Sequence, residues 1–352
     1  MSTATATAGK FQNSGANNDF IQYIAPTGQV VYSVDSTGAV HSANTLISPP
    51  GNLYIVGNPA DTNLAYLQNK FGGITYADGS TMFQSTLQGA INACVDLRGD
   101  VILVGPRTYV VTTPVLFNKK GITVSALYNF GGGQDNGERF TINADATPGI
   151  PAAIISEPCT IIGLGFDSAN TASGVLLGGT IQMGPGSGFD GGNYTTISNC
   201  RFDNWGHAVY GIDSQYNDYV KIINCDFDGT INGFGGSANV FAGGIALTQG
   251  HYVTVQGNTF RGCTYAIVHG TPSPASAAHS NTNFIYDSNY VISDTAAAVK
   301  FLNANNLTTY NTQNGIVSNN YFMTATGTGT FSDTVANLLT AGIACSGNHY
   351  HE

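Results

Sequence analysis

Charge is what this 352-residue chain has least of: Asp, Glu, Lys and Arg together make up 9% of it, against a usual share of about 25%. Glutamate is almost missing, with only Glu138, Glu157 and Glu352 beside eighteen Asp. Long surface helices draw their outer face from Glu, Lys and Arg, so a mainly helical protein is excluded. Five Arg and six Lys in a chain of net charge -10 exclude nucleic acid as a main partner. No run approaches the roughly 18 unbroken apolar residues of a membrane span, and the polar opening MSTATATAGKFQNSGANNDF lacks the apolar core of a secretory leader. The six cysteines (Cys94, Cys159, Cys200, Cys225, Cys263, Cys345) form no CxxC pair and have no His-rich neighbour, so no zinc site and no other metal or cofactor is expected. Reduced, buried thiols made in a reducing cytoplasm are the expectation that remains.

What is abundant is glycine, at 45 residues, and a repeat. Seven segments align: IIGLGF ending at Phe166, ISNCRF at Phe202, IINCDF at Phe227, VQGNTF at Phe260, YDSNYV at Val291, VSNNYF at Phe322 and ACSGNHY at Tyr350. Each has an alternating strand, a small or polar pair, then an aromatic or apolar residue in a second short strand. A further apolar segment follows most of them: GVLL (174–177), AVYGI (208–212), GGIAL (243–247), AIVHG (266–270) and AAAVKFL (296–302). Coils of two or three short strands predict an all-β fold, a single-stranded right-handed parallel β-helix over residues 100–352, with a core continuous along its axis. Phe166, Phe202, Phe227, Phe260 and Phe322 should then form one internal column. Asn199 and Asn224, followed one place on by Asn258, Asn289, Asn320 and Asn348, should mark the turn, where asparagine tolerates a left-handed backbone and its amide can bond the next coil.

Residues 51–99 read as a linker and a short capping helix. From Ser80, the apolar residues Phe83, Leu87, Ala90, Ile91 and Cys94 make one helical stripe. The run AINAC…GDVILVGPRTYVVTTPVLFNKKGITVSA resembles the opening of the pectate-lyase-like superfamily, where a short helix caps the β-helix before its first coils; the same opening occurs in bacteriophage tailspikes. The resemblance implies the fold, but the superfamily mixes lyases, hydrolases and inert virion modules. Residues 1–50 differ: turn signals APTG (25–28) and DSTG (35–38) separate alternating strands, which predicts a small β-meander. Too small to hold a core alone, it is similar to the short β-units of phage fibre proteins. Phe20, Ile21, Tyr23, Val31, Tyr32 and Val34 are its candidate attachment residues.

The motifs that the resemblance demands of a pectin hydrolase (NTD, DD, GHG, RIK) are missing; Gly206-His207-Ala208 and Val220-Lys221-Ile222 each lack a required residue. One charged cluster merits weighing. Arg201 and Asp226 precede the aromatic in successive coils, and Asp203, Asp228 and Arg261 follow it. Stacked carboxylates about 5 Å apart suit a retaining glycosidase; opposite charges on adjacent rungs, Arg201–Asp226 and Asp228–Arg261, make an exposed cross-strand ladder, which is the expectation. Trp205 with His207 could stack on a sugar, so the seven residues form a weak glycan site at most, with no catalytic residue. GGTIQMGPGSGFDGGN (178–193) and TPSPASAAHSNTN (271–283) read as loops leaving the solenoid. The expected function is a bacteriophage virion surface protein with no leader, a trimeric capsid decoration or cement protein contacting other virion proteins, because the chain ends on its seventh motif where a tailspike would continue. A tailspike or fibre on the tail baseplate that binds host glycan, and a polysaccharide lyase or hydrolase, are the alternatives.

Overall fold

The computed structural model describes residues 10–12, 19–24, 30–35, 40–42, 51–57, 68–69, 72–76, 78–127, 140–143, 151–167, 181–183, 192–203, 210–228, 243–248, 250–263, 265–270, 281–293, 299–301, 312–324 and 335–351. The chain divides into two units, residues 1–51 and 52–352. The first holds four antiparallel strands, Lys10–Gln12, Asp19–Ile24, Val30–Asp35 and Val40–Ser42, paired in sequence order. Lys10–Gln12 is a strand that the turn signals at 25–28 and 35–38 do not predict. Tyr23 faces Tyr32 and Ile21 faces Val34 in the central register.

In the second unit, successive strands return to the same three sheets and pair in parallel, one coil on the next. Sheet I has eleven described strands, running from Phe83–Gln84 and Leu53–Val56 to Ala344–Ser346; sheet II has nine, from Arg107–Val110 to His349–His351; sheet III has seven, from Val115–Phe117 to Val299–Phe301. This is a parallel β-helix. It begins earlier than residue 100, because Leu53–Val56 pairs in parallel with Val101–Val104. Buried and half-buried residues alternate along strands such as Ile122–Ala126, so one side chain in two enters the core.

The aromatic column stands where the repeat predicts it. Phe166, Phe202, Phe227 and Phe260 are buried and stack with centroid spacings of 5.4, 4.6 and 4.8 Å. Val291 interrupts the column before Phe322 and Tyr350, which stack at 5.9 Å. Sheet III supplies small residues opposite the rings: a Cβ on Gly244 would lie 2.6 Å from Phe260 Cδ1.

The asparagines divide two duties between adjacent positions. Asn199, Asn224 and Asn319 take the left-handed backbone with φ of 51–55°, a place that Gly163, Gly257, Ser288 and Gly347 fill in the other coils. One residue on, Asn258, Asn289, Asn320 and Asn348 point inward as a ladder. Asn289 Oδ1 accepts from the Asn258 backbone N–H and from Asn258 Nδ2, both at 3.0 Å, while Asn289 Nδ2 donates to Val255 O and Asn320 Oδ1. Both donors and both acceptor directions of the buried amide are used, so its burial carries no desolvation debt.

Two expectations need correction. The capping helix starts at Leu87 rather than Ser80: Thr86 is its N-cap, accepting from Gly89 N–H at 3.0 Å, and Phe83–Gln84 pairs as a strand with Ile55–Val56 instead. The apolar stripe therefore belongs to two elements. Within the glycine-rich 178–193 segment, Ile181–Met183 is a strand of sheet III, paired with Ala153–Ile155 and Ile212–Ser214, and Met183 is buried. Three residues alternating apolar and polar suffice for a rung, whatever flanks them. GVLL (174–177) lies outside the described residues.

Candidate functional site

The outward face of sheet II carries the charged cluster. The strands Arg201–Asp203, Asp226–Asp228 and Thr259–Arg261 lie side by side with Phe202, Phe227 and Phe260 in register. The phenylalanines take the inward places, which sends the flanking charges outward. Arg261 Nη2 lies 2.7 Å from Asp226 Oδ2 and 3.3 Å from Asp228 Oδ2, and Arg201 Nη2 lies 3.9 Å from Asp228 Oδ2. Arg261 thus bridges both carboxylates of the neighbouring strand, which a strictly in-register ladder would not do. The cluster is less exposed than expected: Asp228 keeps 7% of its surface, although the Arg261 side chain keeps 41%. Side chains stacked at the inter-strand spacing cover one another, and the guanidinium groups lie against the carboxylates.

Asp203 pairs in register with Asp228 through its backbone, but its side chain, like Trp205 and His207, lies outside the described residues. The same holds for the side chains of Phe20, Ile21, Tyr23, Val31, Tyr32 and Val34. Among the described residues no group of three His, Cys, Asp or Glu is placed to hold a metal ion. All six cysteines are free, five of them buried. Burial pushes the Cys94 and Cys159 thiols up to about 12, which makes them inert packing groups rather than nucleophiles.

Two features escape the sequence reading. The first is Asp213, in the sheet III strand Tyr210–Gln215, between Gln182 and Ala246 of the adjoining coils. It is buried and accepts a hydrogen bond from Gln215 Nε2 at 2.8 Å. Burial raises its carboxyl to about 6, with the Gln215 bond acting the other way. The signal was a lone acid closing the apolar run AVYGI. Burial also drives His269, at the neighbouring position in a later coil, down to about 3; its Nδ1 pairs with Tyr286 Oη.

Asp213 makes a pH-dependent prediction. A carboxyl whose folded value is raised from 3.8 to about 6 contributes stability that is complete below the unfolded value and is lost as pH rises through the folded one. Above that, the buried carboxylate costs about 3 kcal/mol. Asp213→Asn keeps an acceptor for Gln215 without the charge. Urea melts should show the variant more stable than the parent at pH 7.5, by up to about 3 kcal/mol, with the gap closing by about pH 4. His269 is common to both proteins and cancels. A gap of equal size at both pH values would contradict the assignment.

The second feature is a column of tyrosines in the turn that leads into sheet I. Tyr194, Tyr219 and Tyr252 stack at centroid spacings of 4.7 Å with interplanar angles of 4° and 6°. All three have left-handed backbones, φ 57–59°, and stay 65%, 40% and 49% exposed. The signal was in the rungs NYTTIS, DYVKII and HYVTVQ, each with Tyr at the same distance before its strand.

No family model matches the chain, and no curated protein matches it significantly. Solved structures do resemble it. The catalytic domain of a GH87 alpha-1,3-glucanase in complex with nigerose is 14% identical over 94% of this chain, with a TM-score of 0.41. A rhamnogalacturonan lyase is 11% identical over 86% of this chain and 87% of its own, with a TM-score of 0.42. The Dettilon tailspike protein is 14% identical over 84% of this chain and 59% of its own, with a TM-score of 0.36. The likeness is one of fold. The chain spans 50% of the glucanase domain's length, and identity this low carries over neither substrate nor residue roles.

Proposed function

We propose that this chain is a structural surface protein of a bacteriophage particle, a capsid decoration protein attached through residues 1–51, with residues 52–352 turned to the medium. The observation that carries this reading is the division into a small antiparallel sheet and a large solenoid. The first unit holds four strands of three to six residues, a sheet small enough to serve as an attachment element, whereas the solenoid has its own continuous core. Free, buried thiols agree with folding in a reducing host cytoplasm.

The charged face supports a structural role over a catalytic one. Glycoside hydrolysis needs a proton-bearing carboxyl and a second carboxylate across the sugar ring. Asp226 and Asp228 are each bound to an arginine. Asp213 is suited to hold a proton, but it is buried on a different sheet with Gln215 as its described hydrogen-bond partner. The purified protein should therefore release no oligosaccharide from host surface polysaccharide, measured by reducing-end assay and mass spectrometry. Release that Asp213→Asn or Asp228→Asn abolishes, with the fold kept, would put an enzyme in place of the structural protein.

Attachment is tested on particles. Quantitative mass spectrometry of purified virions should give a copy number that scales with the capsid shell. Removal of residues 1–51 should leave a soluble β-helix that no longer co-purifies with particles. A copy number that matches the tail's symmetry would assign the chain to a spike or fibre, and incorporation without residues 1–51 would place attachment elsewhere.

A further inference from the structure

The tyrosine column is unexplained by fold or core. In register with it along the axis, the same turn position holds Gly121 and Pro158 on one side and Asn283, Asn314 and Gly342 on the other. Of these, Gly121, Asn283, Asn314 and Gly342 share the left-handed backbone, which glycine and asparagine adopt at little cost and tyrosine does not. Three successive coils nevertheless place there a large, exposed aromatic that the core does not use.

The stack is held rigidly. Asn193 Oδ1 accepts from the Asp218 backbone N–H at 2.6 Å, and Asp218 Oδ1 accepts from His251 N–H at 2.7 Å. The Tyr194 and Tyr219 backbone N–H groups donate to Asp218 O and His251 O at 2.9 and 2.8 Å. Tyr219 lies between two parallel rings, so both its faces are covered. Tyr194 is the end ring and the most exposed of the three. Its other face looks along the axis toward Pro158 and Gly121, and the compact pyrrolidine ring and the bare glycine leave Tyr194 65% exposed against 40% for the sandwiched Tyr219. Leu97, 79% exposed, closes the far end, its Cα 3.7 Å from where a Cβ on Gly121 would sit. By register, two low residues thus separate an exposed aromatic ring from an exposed aliphatic side chain, which makes a notch between them. Asn193 and the Lys120–Glu157 pair, at 3.7 Å, occupy the positions just before the floor and wall residues.

We propose that this notch binds a pyranose ring of an uncharged glycan, stacked on the open face of Tyr194. A flat aromatic face takes the axial C–H side of a sugar, and adjacent amide, ammonium and carboxylate groups bond its hydroxyls. Along this turn the acids Asp96, Glu157 and Asp218 outnumber Lys119 and Lys120, in a chain of net charge -10; that balance disfavours polyanions, so the sugar is a neutral one. The site does not depend on whether the chain sits on a head or a tail.

Because stacking is tolerant of sugar identity, simple probes suffice. Saturation-transfer NMR of the full chain with cello-, malto- and manno-oligosaccharides should show weak binding, and oligogalacturonate should show none. Tyr194→Gly, which suits the left-handed backbone and keeps the fold by circular dichroism, should weaken binding by about tenfold or more. Tyr194→Phe should bind like the parent. Absence of binding to all neutral probes, preference for the galacturonate, or unchanged affinity in Tyr194→Gly would each overturn the proposal.

Discussion

Phe227→Ala should destabilise the β-helix by about 3–5 kcal/mol. The ring is completely buried and sandwiched between Phe202 at 4.6 Å and Phe260 at 4.8 Å. Its edge is backed by sheet III, where a Cβ on Gly211 would lie 3.0 Å from Phe227 Cδ1. A globular core can relax into a cavity, but here the walls are coils held at the inter-strand spacing of about 4.8 Å by backbone ladders above and below. The void therefore persists, and two stacking contacts of about 0.5–1.5 kcal/mol each disappear with the ring. Phe166 stacks on one described ring, at 5.4 Å, so Phe166→Ala should cost less. Denaturant midpoints at constant slope would measure both. Equal losses at the two positions would show that the column is not the unit of packing.

Asn289→Ala should be of comparable size for an opposite reason. Little apolar contact is lost, but Asn258 N–H and Val255 O lose the partners that Asn289 supplies, in a core that admits no replacement. Each buried group left unsatisfied costs about 1–3 kcal/mol, so a loss of about 3 kcal/mol or more is expected. Asn224→Gly is the contrast. Asn224 occupies the left-handed place, φ 53°, which glycine fills in other coils, and its replacement should cost well under half as much. Denaturation of the two variants side by side separates ladder from turn. If Asn224→Gly were the more damaging, the division of duties between the two positions would be wrong.

The β-helix and its aromatic column were legible because a solenoid writes its structure into the sequence locally. Every coil meets the same environment, so each inward position repeats, and the motif ending in Phe202, Phe227 and Phe260 reports burial without any knowledge of the fold. The left-handed turn and the asparagine ladder were legible together but not apart, since backbone conformation and hydrogen bonds distinguish Asn224 from Asn258. The helix start at Leu87 was misplaced because one apolar stripe served a strand and a helix in turn. Ile181–Met183 was hidden by glycines that say nothing about the three residues between them.

Sequence alone therefore determined the architecture, the inward columns and the poverty of basic groups, because each follows from residue type repeated at a period. Tertiary structure decided what depends on the relation between coils. Arg261 bridges Asp226 and Asp228, Asp213 is buried with a carboxyl near 6, and three tyrosines close into a stack that ends over Pro158 and Gly121. Their sequence neighbours mark the positions but not the partners. A side chain's partners in a parallel solenoid lie one coil away, 25 to 36 residues along the chain, and the charge or ring that completes a site is chosen by register rather than by proximity in sequence.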